Sequence, residues 1–319
     1  MGLSEKINQR KYDKLVKQAN SLFEEAKFKE SKERFEAAFE FGFSPIDYMR
    51  YACVLCQLEE YSQAIDVINQ LLGFDPPKFV QGWAHALLGD INFDLCNQEK
   101  AIEEYEKAMT CEDFSMDAIC FLKLGTLYDD QESSLENDDV KKAYDYLLKA
   151  KELNENLIIA SYEIGTILLR SERAEEALEY FNKVEEVDKE DETDCHFRMA
   201  LCYEILKNNE KAKEYLYKEL KHKEPNPATL ITLGLIFMDE GNMEKAKDAF
   251  LEQLKNNSED YIAWYDLGCV YALINDYDNA NECFKIIKYK SPNLFHELIS
   301  DPELSEYIKS DEYNKLINE

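Results

Sequence analysis

The chain has 319 residues, 66 of them Asp or Glu and 37 Lys or Arg, a formal net charge of −29. That balance argues against a general nucleic-acid or anionic-membrane surface, because phosphate binding needs clustered cations. Nine cysteines outside a small disulfide-rich scaffold point to a reducing compartment. Only 10 glycines and 7 prolines are scattered through a Glu-, Lys-, Leu- and Ala-rich sequence, which favours helix. The opening MGLSEKINQRKYDKL lacks the apolar region of a secretory signal, and no apolar run is long enough to span a bilayer. A cytoplasmic protein is expected.

In chain order, a helical pattern starts near Tyr12 and restarts near Pro45, Gly82, Ala118, Ile158, Thr193, Pro227 and Tyr261. Each unit carries a small residue on its first helix: Ala19, Ala52, Gly89, Gly125, Gly165, Ala200, Gly234 and Gly268. Successive spacings are 33, 37, 36, 40, 35, 34 and 34 residues. The second helix answers with Ser31, Ala64, Ala101, Ala143, Ala177, Ala212, Ala246 and Ala280. Four residues later comes a large filler: Phe35, Ile68, Tyr105, Leu147, Phe181, Leu216, Phe250 or Phe284. Small residues let two helices approach, and the fillers close the gaps beside them. The first unit departs most, with Gln18 and Ser31 at pattern positions, as expected where one face of a stack meets water.

Local signals mark the joints. Ser44-Pro45 reads as an N-cap before a proline at the first helical position, with Asp47 completing something close to a capping box. Pro76-Pro77 ends the second unit. The fourth unit holds six extra residues within Asp129 to Val140, rich in acids but without the glycine of a calcium loop. A solvated loop or helix extension is expected there. After Pro292 the pattern stops. Asp301-Pro302 opens a further short helix, and Leu298, Ile299, Leu304, Tyr307, Ile308, Tyr313 and Leu316 are its candidate apolar contacts.

The last unit, YIAWYDLGCVYALINDYDNANECFKIIKYKSPN, is the fullest version of the pattern. Trp264, Leu267, Gly268 and Tyr271 share one helical stripe, Asn275-Asp276 supplies a turn, and Ala280, Phe284 and Pro292 follow on the second helix. These residues resemble the tetratricopeptide repeat, whose W-x2-L-G-x2-Y…A-x3-F…P pattern they follow. The resemblance covers nearly the whole chain. It implies an all-α, right-handed α-solenoid of about eight helical hairpins across residues 1–294, closed by capping helices at 295–319. It also implies a non-enzymatic protein-interaction module that holds a peptide or partner segment in a concave groove lined by first helices. The alternative is a self-associating scaffold, a homo-oligomer whose groove is filled by its own tail or by a second copy.

In this register Val16, Met49, Ala86, Leu122, Tyr162, Phe197, Ile231 and Tyr265 form an apolar ladder facing either the groove or the next repeat. One residue beyond stand Lys17, Arg50, Leu87, Lys123, Glu163, Arg198, Thr232 and Asp266, four of them basic. The expected ligand therefore has apolar anchors and carboxylates, the latter suited to the planar fork of Arg. Asn20 and Trp83 complete the groove residues. They stand at two positions that chaperone-tail-binding members of the family use; only Asn20 has the matching residue type, so that specialised role is not expected.

No catalytic motif is present: there is no G-x-S-x-G, no phosphate loop and no H-E-x-x-H. His85 and His196 occupy the position of Trp264, where packing or groove lining is the default. Cys53 and Cys56 fall mid-helix, away from the helix N-terminus that would activate a redox pair. No cofactor, metal or catalytic residue is expected.

Overall fold

The structure, a computed structural model, describes residues 3–187 and 193–318, apart from the side chains of Leu3 and Ile299. The described residues form helices and turns, with no strand among them. Two compact units divide the chain, Met1–Arg170 and Ser171–Glu319. The first holds the hairpins α1 (Leu3–Glu24) with α2 (Phe28–Phe39), α3 (Pro45–Gln57) with α4 (Tyr61–Gly73), α5 (Lys78–Asp94) with α6 (Gln98–Met109), and α7 (Ala118–Tyr128) with α8 (Asp138–Leu153). Helix α9 (Ile158–Arg170) ends it. The second unit starts with α10 (Ala174–Val187). Three hairpins follow: α11 (Cys195–Ile205) with α12 (Asn209–Glu219), α13 (Thr229–Asp239) with α14 (Met243–Asn256), and α15 (Tyr261–Leu273) with α16 (Tyr277–Lys290). No described helix is long and apolar enough to cross a membrane.

Each hairpin closes as the spacing predicts. A Cβ built on Gly268 would lie 2.5 Å from Cε1 of Phe284, and one on Gly234 would lie 2.5 Å from Cε1 of Phe250. The missing side chain therefore makes room for the filler ring. Phe35, Ile68, Tyr105, Leu147, Phe250 and Phe284 are fully buried, each contributing about 1.5–3 kcal/mol of apolar burial. The turns share one device, a single residue in the left-handed region: Ala26, Glu59, Cys96, Glu172, Lys207, Gly241 and Asn275 all have φ between 56° and 73°. Several second helices then start on a side-chain cap; Asn208 accepts from the Lys211 N–H and Asp276 from the Asn279 N–H.

One local expectation is corrected and another refined. Ser44 is the N-cap residue of α3, but its side chain caps nothing. Asp47, the supposed box partner, is buried and accepts the Tyr12 hydroxyl at 2.8 Å, tying α3 to α1. The acidic insertion is exposed over 130–132 and 136–139, as expected of a solvated loop, but its first residue is anchored. The Asp129 side chain is only 4% exposed and pairs with Arg170 of α9, whose Nε also donates to the Ser133 carbonyl at 3.1 Å. An arginine reaching from the next repeat thus folds the start of the loop inward.

After α16 the chain runs through α17 (Pro292–Glu297), two 3-10 turns (Leu298–Ser300 and Pro302–Leu304), α18 (Ser305–Ile308) and α19 (Asp311–Asn318). Leu298, Leu304, Tyr307, Tyr313 and Leu316 are buried in one cluster with Phe284, and Ile308 packs at its edge. The Ile299 side chain lies outside the described residues. Polar ties complete the docking: Tyr307 donates to Asn281 Oδ1, and Lys288 Nζ donates to the Leu316 carbonyl at 2.8 Å. The tail covers the open face of the last hairpin.

Candidate functional site

Two neighbouring clefts open between the first helices of the first unit. One, of 490 Å³, is lined by Asn20, Phe23 and Glu24 of α1, Phe35 of α2, Arg50 and Cys53 of α3, and Trp83 of α5. The other, of 480 Å³, lies along α1 beside Lys17, Asn20, Ser21, Glu24 and Asp47. They share Asn20 and Glu24. Four residues assigned to a groove by sequence, Lys17, Asn20, Arg50 and Trp83, therefore meet in one region.

The chemistry of that region follows from what each group has left to offer. The Arg50 side chain is 49% exposed, and its nearest acid is Asp47, at 3.6 Å. That spacing is too long for a good hydrogen bond, and Asp47 already holds Tyr12. Arg50 thus keeps most of its five N–H donors unused, in the planar fork geometry that suits a carboxylate. Trp83 and Phe23 supply flat apolar walls, and the Asn20 amide offers both a donor and an acceptor. Cys53 contributes a small apolar surface only. Burial first, then the charge of Asp90, pushes its thiol up to about 11, and burial pushes Cys56 up to about 12. That is opposite to the depression a redox pair needs. All nine cysteines are free thiols.

The remaining groove residues are placed differently. Met49 is fully buried in the apolar cluster running from α1 to α5, and Leu122 and Phe197 are 8% and 7% exposed. These three do not face an open groove. First helices pack on the next first helix, as α3 does on α5, and that seam takes up much of the ladder. Lys123 is held by Asp90 at 2.7 Å and sits over the Phe93 ring, so its charge is neutralised locally. Arg198 pairs with Asp194 at 3.2 Å. Tyr162 is half-buried on α9 and joins neither cleft. Tyr265 donates its hydroxyl to Asp301 of the tail at 3.0 Å and packs against Phe284.

Sequence reasoning passed over Phe23 and Glu24, although Phe23 stands seven residues after Val16 on the same helical stripe. It also missed a polar cluster in the second unit. His196 Nδ1 lies 2.9 Å from His222 Nε2, with the buried Glu219 beside them. The available signal was Glu219-x-x-His222, one helical turn apart. His85 forms a separate pair with Glu104 at 2.7 Å.

Comparison with known proteins places these features in a family. Tetratricopeptide-repeat profiles match residues 159–191, 193–221 and 231–293. A TPR repeat-containing protein of Methanocaldococcus jannaschii is 25% identical over 270 residues, covering 69% of this chain and 46% of the relative, so the match spans about half of that relative. Among solved structures, the C-terminal part of a TPR repeat-containing protein from Cytophaga hutchinsonii aligns with a TM-score of 0.60 at 14% identity, covering 82% of this chain and all of that one. YrrB, described as a TPR protein with an unusual peptide-binding site, aligns with a TM-score of 0.53 at 26% identity, over 62% of this chain and 96% of its own. Repeat motif, stacked hairpins and family matches agree that residues 159–191, 193–221 and 231–293 are tetratricopeptide repeats, and the rest of the chain resembles them.

Proposed function

We propose that this protein is a non-enzymatic, cytoplasmic interaction module whose first unit binds an extended peptide segment across the clefts of α1, α3 and α5. The observation that carries the reading is the meeting of Asn20, Arg50 and Trp83, together with Phe23, around one 490 Å³ cleft. An aliphatic or aromatic side chain of the ligand packs between Phe23 and Trp83, while a nearby carboxylate takes the Arg50 fork. Lys17 adds a second, solvent-screened attraction from the adjoining cleft. The likeness to YrrB, itself described by its peptide-binding site, supports a peptide as the ligand class.

Peptide display against the full-length chain tests this. Enriched sequences should combine a large apolar residue with a nearby acid, and their affinity should fall as salt is raised. Enrichment of basic peptides, or of no pattern, would contradict it.

A second reading is favoured by one observation in the second unit. The last first helix gives its ladder residue, Tyr265, to the chain's own Asp301. There the groove surface is occupied by the tail, in keeping with the self-filled alternative. A tail-deleted chain, ending before Leu294, should then bind a peptide of residues 294–319 added in trans.

A further inference from the structure

We propose that His196, Glu219 and His222 form a binding site for one divalent transition-metal ion of the zinc class. All three belong to the second unit: His196 is the second residue of α11, Glu219 the last of α12, and His222 lies in the turn beyond. One ligand atom from each lies within 4.8 Å of the others. Bonds of about 2.0–2.2 Å put tetrahedral ligand atoms roughly 3.3 Å apart. The observed separations, from 2.9 Å between His196 Nδ1 and His222 Nε2 up to that limit, bracket this value. Small side-chain rotations reach it.

The surroundings have the features of a built site. Glu219 is 1% exposed, and both its oxygens are fixed by backbone N–H groups, Oε2 by Phe197 at 3.2 Å and Oε1 by Asn226 at 2.8 Å. Each oxygen keeps a second lone pair. His196 Nε2 lies 3.2 Å from Glu185 Oε1, which Lys218 also holds at 3.0 Å. A carboxylate on the far nitrogen of an imidazole selects the tautomer whose other nitrogen, here Nδ1, carries a lone pair, and this is how metal-ligating histidines are usually supported. Two imidazoles with one carboxylate suit zinc, nickel, cobalt or copper and not calcium or magnesium, which prefer all-oxygen shells. Three protein ligands leave a fourth position for water or a ligand group. The ion would clasp the start of α11 to the turn after α12.

The test uses the full-length chain stripped with EDTA, then titrated with Zn2+ by calorimetry and with Co2+ by visible spectroscopy near neutral pH. The expected result is one equivalent of metal bound through nitrogen and oxygen, without the near-UV thiolate band that cysteine ligation of cobalt produces. Binding should raise Tm, weaken as the imidazoles protonate in acid, and be lost in His222→Gln. Glu185→Gln changes a partly exposed carboxylate outside the ligand set, so its fold is preserved even if the His222 variant fails. It should weaken binding 10–100-fold. Equal stoichiometry and affinity in wild type and Glu185→Gln, or a thiolate spectrum, would overturn the site.

Discussion

Asp266 offers a perturbation whose size the structure sets. It lies on α15 beside the tail anchor Tyr265, and its Oδ2 is sealed from solvent with no hydrogen-bond partner among the described residues. Burial, and then the negative charge of Asp260, push its carboxyl from 3.8 up to about 7. A shift of about three pH units separates the two protonation states by about 4 kcal/mol. The sign follows from linkage. Below about pH 4 the group is protonated in folded and unfolded chains alike and costs nothing through ionisation. Between pH 4 and 7 the unfolded chain ionises first, so stability falls as pH rises; above 7 the full penalty is present. Asp266→Asn removes that titration. The stability of the variant minus that of wild type should grow by about 2–3 kcal/mol between pH 5 and pH 8. Urea unfolding of both proteins at fixed pH values measures the difference, and carbon NMR of the Asp266 carboxyl reads the pKa directly. A carboxyl titrating near 4, with a pH-independent difference, would refute the reasoning.

Other substitutions probe the scaffold. Gly268→Ala should destabilise by about 1–3 kcal/mol in denaturant unfolding, because the new methyl meets the Phe284 ring and that overpacking outweighs the gain in helix propensity. Ala26→Gly should stabilise by about 0.5–1 kcal/mol, since relief of a left-handed backbone at φ 56° exceeds the added entropy of the unfolded chain. Tyr265→Phe removes the Asp301 bond, worth about 0.5–1.5 kcal/mol, and should show as faster hydrogen exchange in residues 301–318. Alkylation near pH 8 should label exposed Cys96 well before Cys53, whose thiol at about 11 is ionised in only about one molecule per thousand.

The hairpin fold was legible because its cause is local. A small residue and a bulky one recur within a single repeat, and helical spacing alone brings Gly268 to Phe284. Lys17, Asn20, Arg50 and Trp83, which the repeat register singles out, line the two clefts of the first unit. Met49, Leu122 and Phe197 took the packing alternative that the ladder left open, because burial at a ladder position depends on how each first helix rotates against the next. Spacing within one repeat does not encode that rotation. Lys123 looked available because its partner, Asp90, lies 33 residues earlier in the preceding repeat. The same blindness hid the histidine cluster, whose members converge through a turn from positions 26 residues apart. Arg170 could not be foreseen as the anchor of the acidic insertion, since its reach back to Asp129 spans a whole repeat.

The proposed binding site, the clefts of α1, α3 and α5, would hold an acidic peptide with an apolar anchor. Fluorescence anisotropy of a display-selected peptide, titrated with wild type, Arg50→Glu and Trp83→Ala, tests it most directly. Both side chains are partly exposed, so the variants should keep wild-type helicity. The account predicts at least tenfold weaker binding for each variant, with the salt dependence reduced in Arg50→Glu and retained in Trp83→Ala. Wild-type affinity in both folded variants would place the peptide elsewhere and contradict the claim.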